Sequence, residues 1–148
     1  MELTAEQERM AVENTVMETF AEMAFLDVMP SETANQFGNS QGFAVDISGA
    51  EQLRCYLDMS VSAKHSVVEN IHADAWTELN SEEIDDCLLE ILNVLGGTLG
   101  RALWGEAVRC KLGFPEVVVM IPGRDDDVHV FDFDAEGEPL TVILERPW

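Results

Sequence analysis

Three polar residues recur at helical spacing in the middle of the chain: Asp86, Glu90 and Asn93. Because an α-helix turns by roughly 100° per residue, these side chains fall within one narrow stripe, which also contains Gly97 and Gly100. An asparagine side chain offers one acceptor and two donors, so it can hold and orient a water molecule. This stripe is therefore the first place to look for chemistry.

The apolar residues of the same segment gather on the opposite side, which predicts a helix with one buried side and one presented side. Those apolar residues are Ile84, Leu88, Ile91, Leu95, Leu99 and Ala102. Asn80 or Ser81 can cap the helix, and Glu83 stands three residues after Asn80 in a variant capping box. Asp86 suits the positive end of the helix dipole. Glu90 and Asn93 lie too far along the helix for that explanation, and on periodicity alone they are ordinary solvated positions.

Glycines occupy unusual positions in this predicted helix. Helix interiors disfavour glycine by roughly 0.8 to 1.0 kcal/mol relative to alanine. Nevertheless Gly96, Gly97 and Gly100 lie on or beside the polar stripe. We expect another surface to approach the helix closely along this line.

The spacing of these residues resembles the signature of the CheC/CheX/FliY family of chemotaxis phosphatases. That signature is Asp or Ser, then Glu, then Asn, then a distant Pro. Here the run reads D-CLL-E-IL-N, and 21 residues separate Asn93 from Pro115. The order of predicted elements is also similar over most of the chain: a long first helix, a hairpin, a short helix, the motif helix and a strand-rich end.

The resemblance implies one CheX-like domain over residues 1–148 with an α+β fold, in which long helices pack on a mostly antiparallel sheet in a two-layer sandwich. Family members with two active faces carry a second Glu/Asn pair on the first helix. Glu18 and Glu22 stand there in this chain without an Asn at the required position. We therefore interpret the first helix as structural. A single copy of the motif is similar to the members that work as homodimers.

The activity implied by the resemblance is hydrolysis of the phospho-aspartate on a CheY-like response-regulator receiver domain. The receiver would supply its own Mg²⁺ and Lys, so no intrinsic cofactor is expected. Asn93 would orient the attacking water, and Glu90 would pair with the receiver's Lys and fix the depth of insertion. Asp86 and Gly97 would support the site, and Pro115 would shape the beginning of a strand.

Residue patterns outside the motif favour the same fold class. Alternating or apolar runs predict strands at FAVDISG and QLRCYLDMS, and later at EVVVMIPG, VHVFDFD and PLTVILE. A length of 148 residues suits one domain with a real core. Apolar residues of the first helix, namely Val12, Val16, Phe20, Met23 and Leu26, recur at helical spacing and indicate core.

The formal net charge of −21 excludes two classes of partner. Nucleic acids and anionic membranes both require a basic surface. Two alternatives to the phosphatase hypothesis stay open. One is an acidic mimic of nucleic acid that occupies a DNA-binding protein. The other is an adaptor that keeps the fold and binds a receiver or a flagellar component without hydrolysing anything.

One segment, DFDAEGE, imitates the opening of an EF-hand loop with Asp132, Asp134, Glu136 and Gly137. Its twelfth position is Ile143, where a calcium loop needs a bidentate Glu. Strand-like sequence flanks the segment on both sides. A hairpin turn is therefore the better interpretation, and no metal site is expected.

Cysteine spacing indicates neither a zinc site nor a disulfide framework. Cys55, Cys87 and Cys110 are widely separated and odd in number, and we interpret them as buried thiols. The amino-terminal residues are acidic and polar, unlike a secretory signal, and no apolar run is long enough to span a membrane. A cytoplasmic location is expected.

Overall fold

In the part of the chain that the structure describes, three α-helices pack on one face of a seven-stranded antiparallel sheet. The computed structural model describes residues 3–36, 42–72, 78–124 and 127–146. The predicted α+β two-layer sandwich is confirmed. In chain order the elements are α1 Ala5–Ala24, β1 Val28–Pro30, β2 Gly42–Ser48, β3 Gln52–Met59, α2 Val61–His72, α3 Ser81–Trp104, β4 Lys111–Leu112, β5 Glu116–Val118, β6 Val128–Ala135 and β7 Glu138–Glu145.

The strand order is β1-β6-β7-β3-β2-β4, and β5 also pairs with β2. Alternate residues of each central strand face the helices, because side chains along a strand point to opposite sides of the sheet. Val45 of β2 lies opposite Cys55 of β3, and both belong to the core between sheet and helices. Tyr56 and Ile143 form a small apolar cluster on the other face.

The apolar side of the first helix packs into the core, as predicted. Thr4 caps it, with Gln7 completing a capping box. Val12, Val16 and Phe20 are fully buried in the core. The helix ends at Phe25, which adopts a left-handed conformation with φ of 51°. Two residues depart from the predicted helix core. Leu26 is buried but lies beyond the end of the helix, and Met23 is only half-buried.

The motif helix α3 begins with the predicted capping box. Asn80 Oδ1 accepts a hydrogen bond from the Glu83 backbone N–H at 2.8 Å, and Glu83 Oε1 accepts one from the Asn80 N–H at 3.2 Å. The predicted buried side is confirmed for Leu88, Ile91, Leu95 and Leu99. Ile84, near the start of the helix, is half-buried and packs against the core, whereas Ala102, near its end, is exposed, so the prediction was wrong for Ala102.

Two of the helix glycines belong to the buried side, which corrects the prediction that Gly100 lies on the presented stripe. A Cβ added at Gly100 would lie 2.4 Å from Cys110 Sγ, and one added at Gly96 would lie 3.3 Å from Val45 Cγ1. The close approach predicted along this line therefore comes from within the same chain. The small residues let α3 lie close to β2 and to the segment that follows the helix.

The carboxyl-terminal hairpin confirms the interpretation of DFDAEGE as a turn. Glu136 and Gly137 connect β6 to β7, and Gly137 has φ of 95°. The acidic side chains bind protein groups: Asp134 Oδ2 accepts the Gly137 N–H at 3.1 Å, and Glu136 Oε2 accepts the Asp27 N–H at 2.8 Å. Asp132 is held by Arg124. Among the residues that the structure describes, no group of three or more His, Cys, Asp or Glu side chains is placed to hold a metal ion.

The three thiols differ in exposure. Cys55 and Cys87 are buried as predicted, but Cys110 is only half-buried beside Gly100, so that part of the prediction was wrong. Burial raises the pKa of the Cys55 thiol to about 12. Burial, and secondarily the Glu90 carboxylate, also raises the pKa of Cys87. Neither thiol therefore forms the thiolate that nucleophilic or metal-binding cysteine chemistry needs at neutral pH.

Asp58 on β3 lies on the face of the sheet that points away from the helices, and its buried carboxyl group gives a testable prediction. Its side chain is buried, and its Oδ1 has no hydrogen-bond partner in the described part of the chain. Burial raises the pKa of the carboxyl from 3.8 to about 6, against the opposing influence of Lys64. Because the folded-state pKa is the higher one, the stability that Asp58 contributes is present below pH 4 and is lost as the pH rises through 6.

We therefore expect the Asp58→Asn variant to lack part of the pH dependence of the wild-type protein. Relative to the variant, wild type should lose about 2 kcal/mol of unfolding free energy between pH 4 and pH 7. Urea unfolding across this range measures the difference. Asp27→Asn, at an exposed position, is the control. A constant difference between wild type and Asp58→Asn over the range would show that Asp58 ionises without cost.

No helix in the described ranges is long and apolar enough to cross a membrane.

Candidate functional site

Glu90 and Asn93 are exposed on the same side of α3, away from the core. They lie in consecutive turns, so their side chains are neighbours on the helix surface. Within the described residues, neither side chain makes a hydrogen bond or ion pair to the rest of the chain. The pair is therefore free to bind a partner from outside.

Both residues line a groove of about 440 Å³. The helix forms one wall, and the connection between β4 and β5 forms the other. Among the described residues, its lining consists of Leu89, Glu90, Asn93, Leu112, Gly113, Phe114 and Pro115. We call this feature the motif groove.

Strand pairing brings the opposite wall to the helix. Leu112 of β4 lies opposite Ile47 of β2, and Glu116 of β5 lies opposite Ala44 of the same strand. Between these pairings the Gly113 N–H donates a hydrogen bond of 2.8 Å to the carbonyl of Asp46. The connection is thus held at both ends and in the middle by β2, against which α3 also packs.

Pro115 immediately precedes β5, where its fixed φ suits the beginning of a strand. The structure places it in the motif groove with Glu90 and Asn93, although it is far from them in the sequence. Two of the predicted supporting residues lie outside the groove lining. Asp86 is exposed one turn before Glu90, and Gly97 is half-buried one turn after Asn93, where an added Cβ would lie 3.7 Å from Leu112 Cδ1.

Phe114 was not predicted as a site residue, yet it is 97% exposed and lines the motif groove. Its signal was its place next to Pro115 in the run LGFP, between a short apolar stretch and a predicted strand. Leu89, Leu112 and Gly113 also line the groove without having been predicted as site residues.

The motif groove is poor in charge for a chain with a net charge of −21. Glu90 is the one ionisable side chain among the lining residues that the structure describes. A carboxylate and a carboxamide on an otherwise uncharged surface can bind a cation and orient a water at the same time. This arrangement offers positioning and hydrogen bonding to a reactive group that is brought into the groove by another molecule.

No protein-family model matches the sequence, and no curated protein sequence is significantly similar to it. Solved structures are similar in fold. A CheX chemotaxis protein from Desulfovibrio desulfuricans has a TM-score of 0.74 at 13% identity, over 93% of this chain and 97% of its own. A CheX chemotaxis protein from Vibrio vulnificus has a TM-score of 0.72 at 16% identity, over 90% of this chain and 95% of its own.

A third solved structure is the CheX-CheY-BeF3-Mg2+ complex from Borrelia burgdorferi. Its matching chain has a TM-score of 0.69 at 12% identity, over 91% of this chain and 94% of its own. CheC-like and FliY chains share the architecture as well. The predicted likeness to the CheC/CheX/FliY family is thus confirmed at the level of the fold.

Proposed function

We propose that this CheX-like chain is a phosphatase that hydrolyses the phospho-aspartate of a CheY-like receiver domain. The observation that carries the proposal is that Glu90 and Asn93 are exposed side by side in a groove. The opposite wall of this groove contains Pro115. The Glu, Asn and Pro positions of the CheC/CheX/FliY signature therefore line the same groove. The chain on which they meet has the CheX fold.

The chemistry needs little from this protein, because an acyl phosphate is already reactive. Phosphoryl transfer requires mainly an aligned nucleophile and stabilisation of charge. The receiver would supply its own Mg²⁺ and Lys to the transferring group. Asn93 would hold an attacking water in line with phosphorus without adding a negative charge beside the phosphate.

Glu90 would act one step away from the reacting atoms. A carboxylate aimed at phosphorus would repel the phosphoryl oxygens, so we assign it to an ion pair with the receiver's Lys. That pair would set how deeply Asn93 enters the receiver's site. The solved CheX-CheY complex of Borrelia burgdorferi supports a CheY-like partner for a chain of this fold.

The partner, location and assembly follow from the same proposal. A phosphorylated receiver is an internal signalling protein, which fits the cytoplasmic location predicted from the sequence. We also retain the homodimer that a single copy of the motif implies. The adaptor alternative shares the fold and the groove, and it differs in that phosphate would not be released.

The experiment that tests the proposal follows inorganic phosphate released from phosphorylated receivers of the same organism, with Mg²⁺ present. We expect wild-type protein to accelerate release from at least one receiver. Receivers that bind this chain and keep their phosphate would establish the adaptor. Receivers that neither bind nor lose phosphate, together with displacement of a DNA-binding protein from DNA, would establish the nucleic-acid mimic.

Glu90→Gln should lower kcat/KM for this reaction by roughly 10- to 100-fold, the loss expected when one hydrogen bond to a charged group is removed. The substitution keeps the shape of the side chain and removes its charge. Glu18→Gln, at an exposed position on α1, is the matched control and should behave as wild type. Equal rates for the Glu90→Gln and Glu18→Gln variants would remove Glu90 from the site.

A further inference from the structure

Among the residues that the structure describes, Phe114 is the most exposed of the large apolar side chains, at 97%. A fully exposed aromatic ring lacks the stabilisation that burial would provide, so in this position it does not contribute to the stability of the fold. In protein interfaces, by contrast, aromatic side chains are the residues that most often carry the binding energy. The exposure of Phe114 therefore indicates contact with another molecule.

The backbone presents Phe114 on a firm support. Gly113 before it is hydrogen-bonded to Asp46, and Pro115 after it has a fixed φ and leads into β5. A side chain held in this way loses little backbone freedom on binding. Such preorganisation is a property of an effective anchor.

Phe114 shares one continuous surface with the residues of the proposed reaction. It lines the same groove as Glu90 and Asn93, and Leu89 and Leu112 extend the apolar surface between them. The other lining residues carry no charge beyond Glu90, whereas the chain as a whole carries −21. Interface cores are depleted of charged residues and enriched in aromatic ones in the same way.

We infer that Phe114 is the apolar anchor by which this chain binds the receiver domain beside its phosphorylated aspartate. The identity of the bound molecule rests on the proposed function. A receiver domain that brings its phosphoryl group to Asn93 must also lie against the opposite wall of the groove. Charge also fits, since Glu90 is the one ionisable side chain in the described lining of the groove and the receiver's Lys would be its complement. Phe114 acts on binding, and Asn93 acts on the reacting atoms.

The test separates binding from chemistry in one assay. Phe114→Ala should raise KM for the phosphorylated receiver by about tenfold, which corresponds to 1.4 kcal/mol, with kcat within twofold of wild type. Phe114→Leu should recover most of the loss. Phe25→Ala is the matched control, because Phe25 is a 73% exposed phenylalanine outside the groove lining. A fall in kcat at unchanged KM for Phe114→Ala would overturn the inference.

Binding is measured separately, with the receiver loaded with beryllofluoride and Mg²⁺ in place of phosphate. If wild type binds the beryllofluoride-loaded receiver but does not accelerate phosphate release from the phosphorylated receiver, and Phe114→Ala binds about tenfold more weakly, the anchor stands and the phosphatase proposal fails. If wild type does not bind any receiver, both fail. If Phe114→Ala instead dissociates a dimer of this chain and leaves receiver binding unchanged, a second copy is the occupant and the inference is overturned. An unchanged unfolding midpoint checks that the variant is folded.

Discussion

Asn93→Ala is expected to slow phosphate release from the receiver by about 100-fold, which corresponds to about 2.7 kcal/mol of transition-state stabilisation. The reason is that the side chain would lose the acceptor and the donors that align the water. Folding should be unaffected, because Asn93 is exposed and alanine is the better helix former. The loss should appear in kcat, since Asn93 would act on the reacting atoms.

Single-turnover release of phosphate at saturating protein measures this effect. Asn14→Ala, at an exposed position on α1, is the matched control and should retain the wild-type rate. Asn93→Asp should not restore activity, because its charge would repel the phosphoryl group. Full acceleration by the Asn93→Ala variant would move the chemistry away from this helix.

Leu95→Ala, two residues further along α3, should have the opposite consequences. Leu95 is fully buried against the core, so its truncation removes apolar contacts and leaves a cavity. We expect the free energy of unfolding to fall by roughly 3 to 4 kcal/mol. The rate constant per folded molecule should stay close to that of wild type, because Leu95 is not part of the motif groove.

Urea denaturation monitored by circular dichroism gives the stability change, and the phosphate-release assay at low temperature gives the rate. Val94→Ala is the matched control, because Val94 is the neighbouring residue and is 42% exposed. It should change the free energy of unfolding by no more than about 0.5 kcal/mol. A loss below 1 kcal/mol for Leu95→Ala would mean that the buried side of α3 is wrongly assigned.

Much of the fold could be predicted because its signals are local. The Asn80 capping box, the apolar spacing of α3 and the Gly137 turn each depend on residues a few positions apart. The placement of Gly100 was wrong for the opposite reason. Its side of the helix is covered by Cys110, which returns from beyond the helix end, and no local pattern contains that contact.

The same difference between local and long-range signals applies to the site. Glu90 and Asn93 could be predicted as a pair because they share one helix, so their spacing alone places them together. Their proximity to Phe114 depends on β4 and β5 both pairing with β2. Such long-range pairing is not encoded in any short window of sequence, and Phe114 was therefore missed.

The motif groove takes its two walls from separate elements, and this division has an evolutionary consequence. Helix α3 is constrained by its packing on the core, whereas the connection from Gly113 to Pro115 is a short surface segment in which Phe114 is almost fully exposed. Surface connections tolerate substitution far better than buried elements do. Under the proposed function, a change at Phe114 alone would alter the receiver that a duplicated copy binds, while both copies would keep the same Glu90 and Asn93.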